Sequence, residues 1–288
     1  MTDRHRIGNG RLSATIRAHG AELISLRDAE GIELLWHGGP EWRRHAPVLF
    51  PIVGKLAGDT LRHAGKAYRL PQHGFARDRR FDWVAREATQ CRLRLVSDEE
   101  SKAVFPFAFA LDLTYEVADT RLTVTATVTN PGRGPLPFSI GAHPAFRWPL
   151  APGLSKAEHR LSFEAPEPGP VRYLQDGLLG PEEPSLLQGR ELPLSPALFA
   201  RDAVILPGLV SRAVRFAAAG GPALRVAWEG YRDLGLWSKP EGADFLCIEP
   251  WYGTASPVGW DGEFDMKPGT LTLAPGESHD FTWSVSPE

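Results

Sequence analysis

The sequence has little of several features that mark common classes of protein. Its two cysteines, Cys91 and Cys247, lie far apart, so we expect buried, reduced thiols rather than a disulfide framework or a zinc-binding pattern. The 32 basic and 35 acidic residues give a formal net charge of −3, which argues against nucleic acid as a partner. No apolar run approaches the roughly 20 residues that span a bilayer, and residues 1–6 are too polar for a secretory signal. These absences predict a cytoplasmic protein that does not contact membranes or nucleic acid.

Long helical patterns are also missing. No stretch of about 12 residues shows the period of an amphipathic helix, and only residues 98–104 and 195–199 favour short helical turns. The 29 glycines and 26 prolines are too many for a helical bundle. Such a content is typical of many short strands joined by turns.

Alternation of apolar and polar residues is what the sequence has in abundance. In residues 121–129, Leu122, Val124, Ala126 and Val128 alternate with four threonines, which predicts a half-buried antiparallel strand. Residues 111–117 alternate in the same way and form a hairpin with it. Further strands are predicted at residues 12–17, 92–96, 160–164, 224–228, 245–248, 270–273 and 281–285. We therefore predict an all-β fold, a large antiparallel β-sandwich with few short helices.

Residues 164–196 are rich in proline, glycine and glutamate. They are either a linker between two domains or a long surface excursion within one. Strands of the same character lie on both sides, and so do the candidate site residues. We therefore predict a single domain over residues 1–288, and the sequence leaves open whether this segment is a fixed loop or a mobile lid.

Three polar stretches interrupt the strand pattern, at residues 70–77, 140–146 and 247–253. They place His73, His143 and Glu249 beside glycine or proline at strand ends, where rigid scaffolds carry functional side chains. Each histidine is either a structural hydrogen-bonding residue or a catalyst. A carboxylate after the apolar run 245–248 must be paired, hydrogen-bonded or functional. The three are too far apart in sequence for a recognisable metal motif, so we predict no metal site, although they could still converge in space.

Together these stretches resemble the aldose 1-epimerase (mutarotase) family. The resemblance rests on residues 72–77 (Gln-His-Gly-Phe-Ala-Arg), 141–146 (Gly-Ala-His-Pro-Ala-Phe), 247–253 (Cys-Ile-Glu-Pro-Trp-Tyr-Gly) and 47–54 (Pro-Val-Leu-Phe-Pro-Ile-Val-Gly). It covers nearly the whole chain and is closest to the branch that contains glucose-6-phosphate 1-epimerases. It implies a galactose mutarotase-like β-supersandwich.

The resemblance also implies a cofactor-free reaction that interconverts the α and β anomers of a hexose or hexose 6-phosphate. Glu249 would be the general base at the C1 hydroxyl, and His143 the general acid at the ring oxygen. The residues that would contact the sugar or its phosphate are Arg43, Gln72, His73, Arg77 and Asp202. Mutarotation moves one proton on and one proton off, so one acid and one base suffice.

Several alternatives stay open. Arg43 and Arg77 could bind a phosphate bidentately or contact the hydroxyls of a neutral sugar. Many members of the family carry an Asn-Arg pair where this chain has residues 54–59 (Gly-Lys-Leu-Ala-Gly-Asp), which weakens the match to galactose mutarotase itself. The alternative function is a catalytically silent carbohydrate-binding protein on the same fold. Glycoside hydrolysis is disfavoured because it needs two carboxylates and only Glu249 is indicated.

The aromatic residues of the three stretches have two interpretations. Phe75, Phe146, Trp237 and Trp251 could stack on the apolar faces of a pyranose ring, or they could be ordinary core residues.

Overall fold

The computed structural model of the protein describes residues 3–288. Met1 and Thr2, which open the N-terminal stretch interpreted above, lie outside the described residues. The regular structure is almost entirely β. In chain order the strands are β1 (Arg4–Gly8), β2 (Ser13–Arg17), β3 (Leu23–Arg27), β4 (Val48–Leu49), β5 (Thr60–His63), β6 (Lys66–Arg69), β7 (Asp82–Arg86), β8 (Gln90–Val96), β9 (Ala110–Ala118), β10 (Arg121–Thr129), β11 (Leu136–Phe138), β12 (Ile140–Ala142), β13 (Ala145–Arg147), β14 (His159–Phe163), β15 (Val171–Gln175), β16 (Leu178–Glu183), β17 (Glu191–Pro193), β18 (Val204–Leu206), β19 (Ala213–Ala218), β20 (Ala223–Glu229), β21 (Asp233–Trp237), β22 (Phe245–Tyr252), β23 (Leu271–Leu273) and β24 (Ser278–Pro287).

Two large sheets contain most of these strands. The first has nine strands in the order β17-β14-β19-β20-β24-β10-β9-β8-β7. The second has eight, in the order β16-β15-β18-β21-β22-β12-β4, with β13 also paired to β22. The strand pairs within both sheets are antiparallel. Smaller sheets are formed by β1-β2-β3, by β5-β6 and by β11-β23.

The inner faces of the two large sheets share one hydrophobic core. Leu113, Val124 and Trp283 from the first sheet belong to the same buried cluster as Leu234 and Ile248 from the second. The predicted all-β antiparallel sandwich is therefore confirmed.

The alternation in β10 shows why the chain folds in this way. Its apolar residues face the core and its threonines face outward, where Thr125 Oγ1 lies 3.1 Å from Thr282 Oγ1 on β24. Thr127 Oγ1 donates a hydrogen bond to Asp280 across the same strand pair. Polar cross-strand pairs of this kind stabilise the exposed side of a sheet whose other side is buried.

Helical structure is limited to short pieces. The helix α1 (Glu99–Val104) begins after Asp98, which accepts a hydrogen bond from the backbone N–H of Ser101. The other helical segments are 3₁₀ turns at Ala57–Asp59, Ala76–Asp78, Lys156–Glu158, Pro196–Phe199 and Phe264–Met266. Among residues 3–288, none of the helices has the length and apolar character needed to cross a membrane.

The segment 164–196 is more structured than its composition indicates. It supplies β15, β16 and β17. The hairpin β15-β16 extends one end of the second sheet, whereas β17 forms an edge of the first. The excursion thus supplies an edge strand to each large sheet, β16 to the second and β17 to the first, together with β15 beside β16.

Candidate active site

Glu249 lies in the middle of β22, and the sheet register places His143 opposite it. The strand β12 ends one residue before His143 and β13 begins two residues after it, and both pair with β22 in one continuous antiparallel register. The histidine Nε2 is 3.2 Å from the Glu249 Oε2. The separation between the two ionisable groups is therefore fixed by backbone pairing rather than by mobile loops.

Both members of this pair are buried. Glu249 is 1% exposed and His143 is 8% exposed. Burial raises the pKa of Glu249 well above its ordinary value, and the negative charge of Asp202 adds to this rise. Burial, together with the positive charge of Arg77, lowers the pKa of His143 to about 3. The two directions favour a pair that carries one proton and is neutral as a whole, with the proton on the carboxyl group.

Two tryptophans fix the orientation of the imidazole. The ring of Trp42 stacks on His143 with centroids 5.0 Å apart and planes 25° apart. Trp237 approaches the imidazole edge-on from another side, at 5.9 Å. Sequence reasoning missed Trp42, which lies in the irregular segment between β3 and β4 and whose only signal was its position beside Arg43.

The loop that carries His73 depends on an unusual backbone conformation. His73 and Gly74 both have positive φ angles, of 65° and 68°. A Cβ at Gly74 would lie 2.3 Å from the carbonyl oxygen of Phe50, so only glycine fits there. The backbone N–H of Gly54 donates to His73 Nδ1 at 3.1 Å, so the neutral ring carries its hydrogen on Nε2. Burial and nearby positive charge lower the pKa of His73, whose ring centroid is 6.0 Å from that of His143.

Arginines of the site cluster around one carboxylate. Arg44 donates to Asp78 at 2.8 Å, and Arg77 lies 3.7 Å from the same residue. Burial, reinforced by the charge of Arg44, lowers the pKa of Arg77 to about 10. Arg77 also donates to the backbone carbonyl of Gln72 at 2.8 Å. Arg43, which sequence reasoning chose, is exposed and does not line the cavity described below.

Asp202, like Arg77, lies on the wall of the cavity described below. It follows the 3₁₀ turn Pro196–Phe199 and has a φ of 71°, a conformation that non-glycine residues seldom adopt away from turns and functional sites. Its side chain is exposed at the cavity wall. The negative charge acts directly on the pKa of Glu249, so the two carboxyl groups share one electrostatic environment.

These side chains surround one cavity of about 300 Å³. Six of the seven predicted site residues lie on its wall, Arg43 being the exception. The apolar part of the wall includes Leu174 and Ile205, which had no sequence signal because a cavity-lining aliphatic residue has the same pattern as a core residue. A cavity of this size is at the lower end of the range for small-molecule sites.

The aromatic candidates separate into two groups. Trp237 and Trp251 line the cavity, whereas Phe75 and Phe146 belong to the core of the sandwich. The Trp251 indole lies directly over Gly235, where a Cβ would be 2.4 Å from the ring. A glycine at this position of β21 therefore allows Trp251 to lie flat beside Glu249.

One further group approaches the pair. Potential ligand atoms of His143, Cys247 and Glu249 all lie within 4.8 Å of one another, and Cys247 is fully buried. Within the part of the chain that the structure describes, this is the one group of three such side chains that could hold a metal ion. The sequence interpretation, which treated Cys247 only as a buried thiol, did not include it.

The sequence model of the family described as aldose 1-epimerase matches residues 3–286. The chain belongs to the aldose 1-epimerase family. It is 28% identical to a chromosomally encoded LacX protein of Lactococcus lactis, over 96% of this chain and 97% of the relative.

Two solved structures are similar to this family member over almost its full length. A galactose mutarotase-related enzyme from Lactobacillus acidophilus is 31% identical, with a TM-score of 0.93, covering 99% of this chain and 97% of that one. A galactose mutarotase-like protein from Lactobacillus casei is 30% identical, with a TM-score of 0.91, covering 99% of this chain and all of that one. The similarity to these epimerase-family structures extends to both large sheets.

Proposed function

We propose that this member of the aldose 1-epimerase family interconverts the α and β anomers of a hexose or hexose 6-phosphate by opening and reclosing the sugar ring. The proposal rests on one observation above all. His143 Nε2 and Glu249 Oε2 lie 3.2 Å apart at the wall of a cavity of about 300 Å³, which is the arrangement that an acid–base pair for this reaction requires.

The spacing of the pair suits the chemistry of a cyclic hemiacetal. The C1 hydroxyl oxygen and the ring oxygen are bonded to the same carbon, so the groups that act on them must be close together. Glu249 takes the hydroxyl proton while His143 donates a proton to the ring oxygen, and the C1–O5 bond breaks to leave the open-chain aldehyde. Rotation about C1–C2 presents the other face of the aldehyde, and the same steps in reverse close the ring.

Before the cycle can begin, the proton of the free pair has to move from Glu249 to His143. The proton rests on Glu249, because burial raises the pKa of the carboxyl group and lowers that of His143. Transfer of this proton across the 3.2 Å contact produces the carboxylate and imidazolium that ring opening requires. Since the reaction is reversible and consumes no net proton, no cofactor is needed to complete the cycle.

The remaining polar wall supplies partners for a sugar. We assign His73, Gln72, Arg77 and Asp202 to hydroxyl or phosphate contacts, since all four line the cavity. Arg43 leaves the proposed binding set because it is exposed and does not line the cavity. Arg44 does not line the cavity either, but its positive charge acts on Arg77 and His143. Two guanidinium groups against one carboxylate at Asp78 leave a local positive charge that would favour a sugar phosphate.

Two-dimensional exchange NMR of glucose and of glucose 6-phosphate, with and without protein, tests the proposal. We expect accelerated exchange of at least one sugar, and a loss of at least about 100-fold in Glu249→Gln. Glu229→Gln makes the same chemical change on an exposed residue of β20 and should leave the rate unchanged. Full activity in Glu249→Gln would refute the assigned mechanism. Sugar binding without acceleration, across a panel of aldoses, would favour a silent carbohydrate-binding protein.

A further inference from the structure

The acid–base pair has a third neighbour that the proposed reaction does not use. Cys247 and Glu249 are two residues apart on β22, so both side chains point to the same face of the strand. This is the face away from the main core, since Leu246 and Ile248 between and beside them belong to the core cluster. With His143 opposite, three potential ligand atoms lie within 4.8 Å of one another.

The donor set has a definite preference among cations. A thiolate, an imidazole and a carboxylate are the ligands that Zn²⁺ takes, in a tetrahedral arrangement that often leaves the fourth position to water or substrate. Mg²⁺ and Ca²⁺ instead require several oxygen ligands, and here only Glu249 offers one. The combination therefore favours a borderline-soft divalent ion over the hard ones.

The geometry is compatible with such an ion. Zinc–ligand distances of about 2.0 to 2.3 Å separate tetrahedral donor atoms by roughly 3.3 to 3.8 Å. The His143 Nε2 to Glu249 Oε2 distance is 3.2 Å, and no donor pair of the group exceeds 4.8 Å. The Glu249 Oε2 is buried and has the His143 Nε2 as its neighbour at 3.2 Å, so an ion bound between the two atoms would take the place of the proton that they exchange.

The fourth position would face the cavity. His143 and Glu249 both line it, whereas Cys247 lies behind them among Trp36, Ala145 and Phe245. An ion held by all three would therefore enter from the side from which the sugar enters. It would also occupy the lone pairs that the proton transfer needs.

We propose that His143, Cys247 and Glu249 form an inhibitory site for Zn²⁺, which blocks the acid–base pair reversibly and competes with the sugar. The inhibition rests on the proposed function, whereas the binding does not. The zinc ion is an inhibitor in this proposal and takes no part in the reaction.

Binding is tested first, by a readout that needs no activity. Titration of the protein with Co²⁺ should produce a near-ultraviolet thiolate-to-cobalt charge-transfer band at one equivalent, which Zn²⁺ then abolishes by displacement. Cys247→Ser and Cys247→Ala should remove the band and weaken Zn²⁺ binding by about tenfold or more, since loss of even an outer-shell partner costs that much. Cys91→Ser changes the other buried thiol, on β8, and should leave the titration unchanged. Absence of the band in the wild-type protein, or its persistence in both Cys247 variants, would overturn the site.

Inhibition is tested second, by anomer exchange measured with Zn²⁺, with Mg²⁺ and after addition of a chelator. The wild-type rate should fall with Zn²⁺ alone, recover with chelator, and resist inhibition at higher sugar concentration. The rate of each Cys247 variant with Zn²⁺ is compared with the rate of the same variant without Zn²⁺. Inhibition of the variants should require a Zn²⁺ concentration at least about tenfold higher than inhibition of the wild-type protein. Stoichiometric Zn²⁺ binding without slower exchange would overturn the inhibitory role. A protein that accelerates no sugar would refute the proposed function instead, and the Co²⁺ titration would still decide the metal site.

Discussion

Glu22 is a buried carboxylate whose removal tests how the segment carrying Trp42 is held in place. It is 2% exposed, and its Oε1 accepts hydrogen bonds from the backbone N–H groups of His45 at 2.7 Å and Ala46 at 3.1 Å. Its Oε2 accepts a hydrogen bond from Arg17. The carbonyl of His45 in turn accepts from the N–H of Ala145 on β13. A single carboxylate thus links the β2–β3 connection to the segment that carries Trp42 and, through His45, to β13.

The cost of removing it can be worked out from these contacts. Glu22→Ala leaves two backbone donors without partners, each worth about 1 to 3 kcal/mol when buried. It also leaves Arg17 without its counter-charge, and breaking a buried ion pair costs about 3 to 5 kcal/mol. Because relaxation and water entry offset part of this, we expect an overall loss of about 3 to 5 kcal/mol. Glu22→Gln keeps an acceptor for both N–H groups but loses the charge-assisted bond, so it should cost about 1.5 to 3 kcal/mol.

Guanidinium unfolding followed by tryptophan fluorescence measures these differences. At about 2 °C per kcal/mol for a chain of this size, Glu22→Ala should also lower the Tm by about 6 to 10 °C. Glu30→Ala removes an exposed glutamate nearby and should change the free energy of unfolding by no more than about 0.5 kcal/mol. A loss below about 1 kcal/mol in Glu22→Ala, or equal losses in the Ala and Gln variants, would refute the reasoning.

Four further predictions concern the acid–base pair and its surroundings. The anomer exchange rate should show no inflection at the ordinary histidine pKa of 6.5, because burial lowers the pKa of His143 to about 3. The rate should fall only at higher pH, as Glu249 loses its proton. An acid limb centred near 6.5 in the pH–rate profile would contradict this prediction. Glu249→Gln should be more stable than the wild-type protein at alkaline pH. A carboxyl group whose pKa is raised in the folded state lowers the free energy of unfolding as the pH rises from its unfolded to its folded pKa. Denaturation at acid and alkaline pH should therefore show a stability difference that grows with pH. Trp42→Leu should lower the exchange rate by about tenfold while Trp42→Phe retains most of it, and equal rates in both variants would show that the ring stacked on the imidazole is not needed. Gly235→Ala should raise the KM measured from exchange at varied sugar concentration, because its Cβ would displace the Trp251 indole, and an unchanged KM would place that indole outside the sugar site.

The strands that could be predicted from sequence are those with one solvent-exposed face and one buried face. The alternation in β9, β10 and β24 records burial on one side and water on the other, so their positions were predicted to within a few residues. β22 was predicted to end at residue 248 but continues to Tyr252. Its two faces are both buried, one against the core and one against the cavity, so no alternation marks its second half.

The residues of the candidate site also divide into those that could be predicted from sequence and those that could not. The motifs identified the strand-borne pair His143 and Glu249 and the glycine-dependent loop of His73, and the structure brings these three together. Neither the contact of Trp42 with His143 nor the position of Arg43 outside the cavity wall could be read from sequence. An irregular segment has no period, so the direction of each side chain depends on tertiary contacts such as those of Glu22.

The burial of His143 and Glu249 makes the neutral form of the pair the stable one in the folded protein. Two charges on this strand pair would each carry a large desolvation cost, whereas a neutral pair that shares one proton carries little. The fold can therefore hold the pair rigidly inside a sheet, at a separation fixed by the ladder on either side of it. In the proposed reaction, moving the proton between the two residues creates the charges only when a polar ligand enters to stabilise them. A hemiacetal, which presents a hydroxyl and a ring oxygen on one carbon, is a ligand of this kind. The same burial would also keep the pair from reacting when the cavity contains no sugar.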